Sequence, residues 1–116
     1  MNISIEAHES NLLVTLDGDI TANFSDKLRE EVKKHLTKSV KTMCVDMRRV
    51  SMIDSAGLSV LFGIKIMCGS QNAHLYLLSP TGVALDTLEK VSFDKVFELI
   101  REEAVEPLLR QLFGER

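Results

Sequence analysis

Val50-Ser51-Met52-Ile53-Asp54-Ser55-Ala56-Gly57-Leu58-Ser59-Val60-Leu61 decides how the rest of the chain is read. An extended, largely apolar approach gives way at Asp54-Ser55 to a run in which Leu58, Leu61, Phe62, Lys65, Ile66 and Cys68 recur at helical spacing, so a helix is predicted over residues 55–71, ending at Asn72. Ser55 then falls at the positive end of that helix, beside backbone N–H groups that have no partner within it. A phosphate would be well received there. Gly57 leaves the first turn without a side chain and is expected to let a partner's backbone or a nucleotide approach closely. Taken alone, an aspartate or serine ahead of a helix is an N-cap worth about 1 kcal/mol, and the local chemistry of Ser55 asks for nothing more.

Working outward toward the N-terminus, residues 43–47 (Met-Cys-Val-Asp-Met) form a short apolar run suited to a central strand covered on both faces, expected to end at the polar turn Arg48-Arg49. Upstream, Leu28, Val32 and Leu36 mark an amphipathic helix over residues 25–37, with Phe24 as an anchor. Ile3 and Ile5, then Leu12, Val14 and Leu16, alternate as strands do. They predict an antiparallel hairpin about the turn of residues 8–11, whose second strand is closed by Asp17-Gly18-Asp19.

Downstream, residues 75–78 read as a strand. Ser79-Pro80 is expected to open a third helix as N-cap and first helical residue, with Val83, Ala84, Leu88 and Val91 on its apolar side. Residues 96–99 can add a short strand, or residues 93–100 can merge with a last helix whose interior Pro107 implies a break or a late start. The order β-β-α-β-α-β-α-β-α requires crossovers. The expected fold class is therefore α/β, a mixed and mostly parallel central sheet with about four helices and an N-terminal β-hairpin, in one domain over residues 1–116.

Composition removes several functions. Over 116 residues, 45% hydrophobic and 27% charged residues describe an ordinary folded domain, and a net charge of −3 with scattered basic residues argues against DNA or RNA as a partner. Cys44 and Cys68 sit in apolar runs and are expected to pack as small hydrophobes, while His8, His35 and His74 are too dispersed for a metal site. No cofactor is expected. With neither a secretory signal nor a membrane span in view, the expected compartment is the cytoplasm, and the expected state a monomer or weak dimer.

Nor does the sequence favour an enzyme. Asp17, Asp19, Asp46 and Asp54 read as turn and cap residues rather than a catalytic cluster, and a phospho-receiver domain would need an acidic pair after its first strand that residues 3–8 do not offer. There is no glycine-rich phosphate loop.

Set against that element order, Gly18-Asp19, Val45-Asp46, Met52-Ile53-Asp54-Ser55-x-Gly57-Leu58, Leu78-Ser79-Pro80 and the tail over residues 88–97 resemble the STAS family of anti-sigma factor antagonists over nearly the full chain. The resemblance implies that Ser55 is a phosphoacceptor and that the unphosphorylated chain binds and sequesters an anti-sigma factor that is also a serine kinase. It also implies a PP2C-type serine phosphatase that restores the free form. Carried over position by position, the partner-binding residues are Asp19, Thr21, Asp54, Ala56, Gly57, Leu58, Ser59 and Phe62. Three positions depart from the family pattern: Ala56 stands where a second hydroxyl is common, Ser59 where glycine is common, and Thr21 where an aspartate is common. The same fold also resembles accessory subunits of lipid or anion transport systems that use no phosphorylation.

Overall fold

Strand β3 (Thr42–Ile53) lies at the centre of a five-stranded sheet ordered β1-β2-β3-β4-β5, with β1 (Asn2–His8), β2 (Asn11–Ile20), β4 (His74–Leu78) and β5 (Glu98–Ile100). This is a computed structural model and describes residues 1–115. β1 pairs antiparallel with β2, and every later pairing is parallel. Helices α1 (Ala22–His35), α2 (Ser55–Ser70) and α3 (Gly82–Lys90) alternate with the strands, a 3-10 turn spans Phe93–Lys95, and α4 (Glu102–Phe113) follows β5. The element order is the one read from the sequence.

The period-2 pattern of the strands sorts side chains onto two faces. Leu12, Val14, Leu16, Met43, Val45, Met47 and Leu77 meet Leu28, Val32, Val60, Leu61, Ile64, Ala84 and Leu88 in the larger core, under α1, α2 and α3. Leu13, Cys44 and Leu78 point the other way and meet Val105, Leu109 and Phe113 of α4. Spaced four apart, these three α4 residues each contribute about 1.5–3 kcal/mol by burial.

Several boundaries differ from the sequence reading. β2 does not stop at Asp17-Gly18-Asp19 and β3 does not turn at Arg48-Arg49; the two continue side by side to Ile20 and Ile53. β3 carries one extra residue between the Thr15–Asp46 and Asp17–Arg49 pairs and another between Gly18–Val50 and Ile20–Ile53. These bulges rotate Val50 and Ile53 back toward the core. Gly18, at φ +122, adopts a backbone that L side chains rarely take.

α1 starts three residues earlier than expected, at Ala22. α3 opens at Gly82 behind Thr81, so Ser79 and Pro80 lie outside it. Ser79 instead has φ 46, is buried, and donates its backbone N–H to the Ile100 carbonyl at 2.7 Å, which ties β4 to β5. Of the apolar side foreseen for α3, Ala84 and Leu88 are buried whereas Val83 and Val91 are exposed, because they lie off the helix's short inner stripe. α4 runs through Pro107 without the expected break. The missing N–H costs only the helical partner of the exposed Glu103 carbonyl, and the buried stripe holds the helix on either side.

Candidate functional site

Four chain segments meet where β2 and β3 end and α1 and α2 begin. The Ile20 carbonyl accepts the Asp54 N–H at 3.1 Å, which clamps the end of β3 to the end of β2. Asp54 is the N-cap of α2, with one carboxylate oxygen accepting the Gly57 N–H at 2.8 Å. Its other oxygen accepts the Ala22 N–H at 3.0 Å, at the first residue of α1. One side chain therefore caps two helices. Thr21, by position the N-cap of α1, makes no side-chain cap of its own; its carbonyl accepts the Ser25 hydroxyl at 2.8 Å.

Ser55 is the first residue of α2. It is exposed, and its hydroxyl makes no hydrogen bond among the described residues. The N–H groups around it and the positive end of the helix favour an anionic substituent on that oxygen. Counting 100° per residue, Ser55, Ser59, Phe62 and Ile66 fall on one stripe, and all four are exposed. Phe62 lies about 10 Å along the axis from Ser55 and stacks on Phe93 with ring centroids 5.9 Å apart. The exposed Met52 stands just ahead of the corner.

The sequence-predicted set thus divides. Asp19 and Thr21 line an open hollow with Ser51 and Asn23, beside the corner that Asp54 fastens. Ser55, Ser59 and Phe62 share the outer stripe. Gly57 does not belong with them, because it is buried: a methyl group there would collide with the Ile20 carbonyl oxygen and sit 2.8 Å from Ile53 Cγ2. The close approach that Gly57 permits is to its own sheet and not to a partner. Leu58, expected on the contact face, is half-buried and packs against the main core, and Ala56 is half-buried too. Sequence reading missed Met52, Ile66 and Phe93, although the i, i+4, i+7, i+11 spacing from Ser55 would have found Ile66.

The remaining acidic residues play structural parts different from those expected. Asp46 is no turn residue: it lies buried in β3 and accepts Arg48 Nη2 at 2.8 Å, while Arg48 Nη1 reaches Glu106 of α4 at 3.0 Å. The Asp46 hydrogen bond, reinforced by Glu106, raises the guanidinium further above its already high range. Asp17 and Asp19 lie within β2, and Asp17 sits 3.8 Å from Arg49. Burial pushes the Cys44 thiol up to about 12, with the Asp46 charge adding to it, and the Cys68 thiol up to about 11, so both stay protonated at neutral pH. Cys68 packs its sulfur 3.8 Å from that of Met43. Among the described residues no cluster of three His, Cys, Asp or Glu could hold a metal, and no helix is long and apolar enough to cross a membrane.

Fold and corner together define an α/β domain that presents a helix-start hydroxyl beside an exposed, partly apolar stripe. The STAS domain family model matches residues 2–106, and the chain belongs to that family. Among solved structures, it is similar to the anti-sigma factor antagonist SpoIIAA in its unphosphorylated form, at 20% identity and a TM-score of 0.72, over 92% of this chain and 97% of that one. It is also similar to an anti-sigma factor antagonist from Mycobacterium paratuberculosis (17% identity, TM-score 0.80, 96% and 92% covered). A sulfate transporter family protein from Wolinella succinogenes shares the fold as well (16% identity, TM-score 0.73, 91% and 89% covered).

Proposed function

We propose that this chain is an anti-sigma factor antagonist of the partner-switching kind, a binding module rather than an enzyme. The observation that carries the reading is the Ser55 hydroxyl, exposed at the start of α2 and without a hydrogen bond among the described residues, next to a carboxylate immobilised by two helix caps. The unphosphorylated chain docks on an anti-sigma factor that is also a serine kinase, using Ser55, Ser59 and Phe62 with Met52 and the Asp19–Thr21 hollow at its rim. The Ser55 oxygen then takes the γ-phosphoryl group of ATP, losing its proton and leaving ADP. A PP2C-type serine phosphatase returns the hydroxyl by hydrolysis, with release of inorganic phosphate.

The switch is electrostatic. A phosphoserine adds about −1.5 to −2 charges beside Asp54, which cannot swing away without uncapping both α1 and α2. In the free protein the helix end offsets that charge by at most about 2 kcal/mol, whereas in the complex the repulsion acts in a desolvated contact. A net loss of about 4 kcal/mol weakens affinity roughly a thousandfold.

The test is to incubate the chain with a serine-kinase anti-sigma factor from its own cell and ATP, and to map the product by mass spectrometry. One phosphoryl group on Ser55 is expected. Ser55→Ala should bind the kinase and resist modification, while Ser55→Asp should lose binding; equal affinity of the two variants would sink the electrostatic account. A second reading, a STAS subunit of an anion transport system, draws on the likeness to the Wolinella succinogenes protein. Capture of a transporter subunit, with affinity unchanged in Ser55→Asp, would favour it.

A further inference from the structure

Leu78-Ser79-Pro80 is the sequence feature that the switch leaves unused. Its serine is not the helix cap its position implies. Ser79 is only 4% exposed, and its hydroxyl makes no hydrogen bond among the described residues. No side-chain polar atom among the described residues is both sealed from solvent and unpartnered, so this oxygen must reach an opening. Ser79 lines a cleft of about 510 Å³, with Pro80, Thr81, Leu85, Leu99, Ile100 and Arg101 and with glutamates 89, 102 and 103.

The position of the cleft in the topology is informative. β4 and β5 are parallel neighbours, but α3 leaves β4 for one face of the sheet and α4 leaves β5 for the other. The two connections part at the carboxyl ends of β4 and β5 and leave the cleft between them. Both helices begin at the cleft, behind Thr81 and Arg101, neither of which caps its helix with its side chain, and among the described residues the first N–H groups of each have no side-chain partner. Ser79 is also held at φ 46, a backbone state uncommon for serine, and such states concentrate at sites with a function.

We propose that this cleft binds a small organic monocarboxylate with a compact branched apolar body. Its carboxylate meets the Ser79 hydroxyl, the N–H groups at the start of α3 and the Arg101 guanidinium, which has no ion pair among the described residues. Leu85, Leu99 and Ile100 receive the hydrocarbon. Glu89, Glu102 and Glu103 repel every anion in proportion to its charge, so they disfavour polyanions such as nucleotides more than a monocarboxylate, and they can receive an ammonium group if the ligand carries one.

The experiment follows backbone amide NMR shifts of the full chain during titration with 4-methylpentanoate, leucine, isoamyl alcohol and AMP. The acid, the amino acid or both should give saturable shifts confined to residues 79–85 and 99–103 at millimolar concentrations; tighter binding of leucine would identify the ammonium contact, and tighter binding of the acid its absence. Ser79→Gly accepts the positive φ, and Arg101→Ala alters an exposed side chain, so both should fold and each should weaken binding about tenfold. Failure of both carboxylates to saturate overturns the proposal. So does binding of the alcohol or of AMP as strong as that of the carboxylates, or parent-like affinity in both variants.

Discussion

Asp54-Ser55 and Ser79-Pro80 are built alike in sequence, each a short polar step from a parallel strand into a helix. In the folded chain they are opposites. At the first, Asp54 takes the capping work, leaving Ser55 exposed and without a hydrogen bond among the described residues. At the second the N-cap Thr81 makes no side-chain cap, and the serine is buried three residues short of the helix with its backbone committed to β5. A helix-start serine is thus not defined by its own residue type: what precedes it, and how near the neighbouring strand ends, decide whether its hydroxyl faces solvent, a cap or a cleft.

The sharpest way to break the comparison is at Gly57, the residue that fixes how close α2 comes to the sheet. Gly57→Ala forces a methyl group against the Ile20 carbonyl, a backbone atom that cannot step aside, and should destabilise the protein by about 3 kcal/mol in chemical denaturation. A parent-like midpoint would mean the corner is looser than described. Next in size is Asp54→Ala, which removes two caps at once and should cost about 2 kcal/mol, against about 1 kcal/mol for a single cap. A loss of only one cap's worth would dissolve the link between α1 and α2. The smallest effect belongs to the serines. Ser79→Ala and Ser55→Ala should each change stability by no more than about 0.5 kcal/mol, because neither hydroxyl is bonded within the described protein. If Ser79→Ala cost as much as a lost cap, the contrast between the two steps would fail.

Much of the architecture was legible because it rests on periodicity. Alternation in Leu12, Val14 and Leu16 and the four-residue spacing of Leu28 and Val32 leave little choice of element, and the crossovers then impose parallel pairing. What escaped is set by contacts distant in sequence. Arg48-Arg49 has the composition of a turn, yet it stays in a strand because β2 runs beside it and Asp46 and Glu106 pair with Arg48. Pro107 looks like a break, yet Val105, Leu109 and Phe113 carry the helix past it. The start of α2 was legible because it depends on local sequence: Asp54 is its N-cap and Ser55 its first residue. That Gly57 faces inward depends on Ile20, thirty-seven positions away in a strand the sequence seemed to end at Asp19.

The strand order carries a last consequence. Each strand lies beside the one that precedes it in the chain, so the sheet can grow from one edge, every finished strand serving as template for the next. Nothing has to be threaded between partners already joined. The β2–β3 pair, the longest of the parallel ladders, can set the register before β4 or β5 takes its place, and an error at the far edge would leave the corner carrying Ser55 already built.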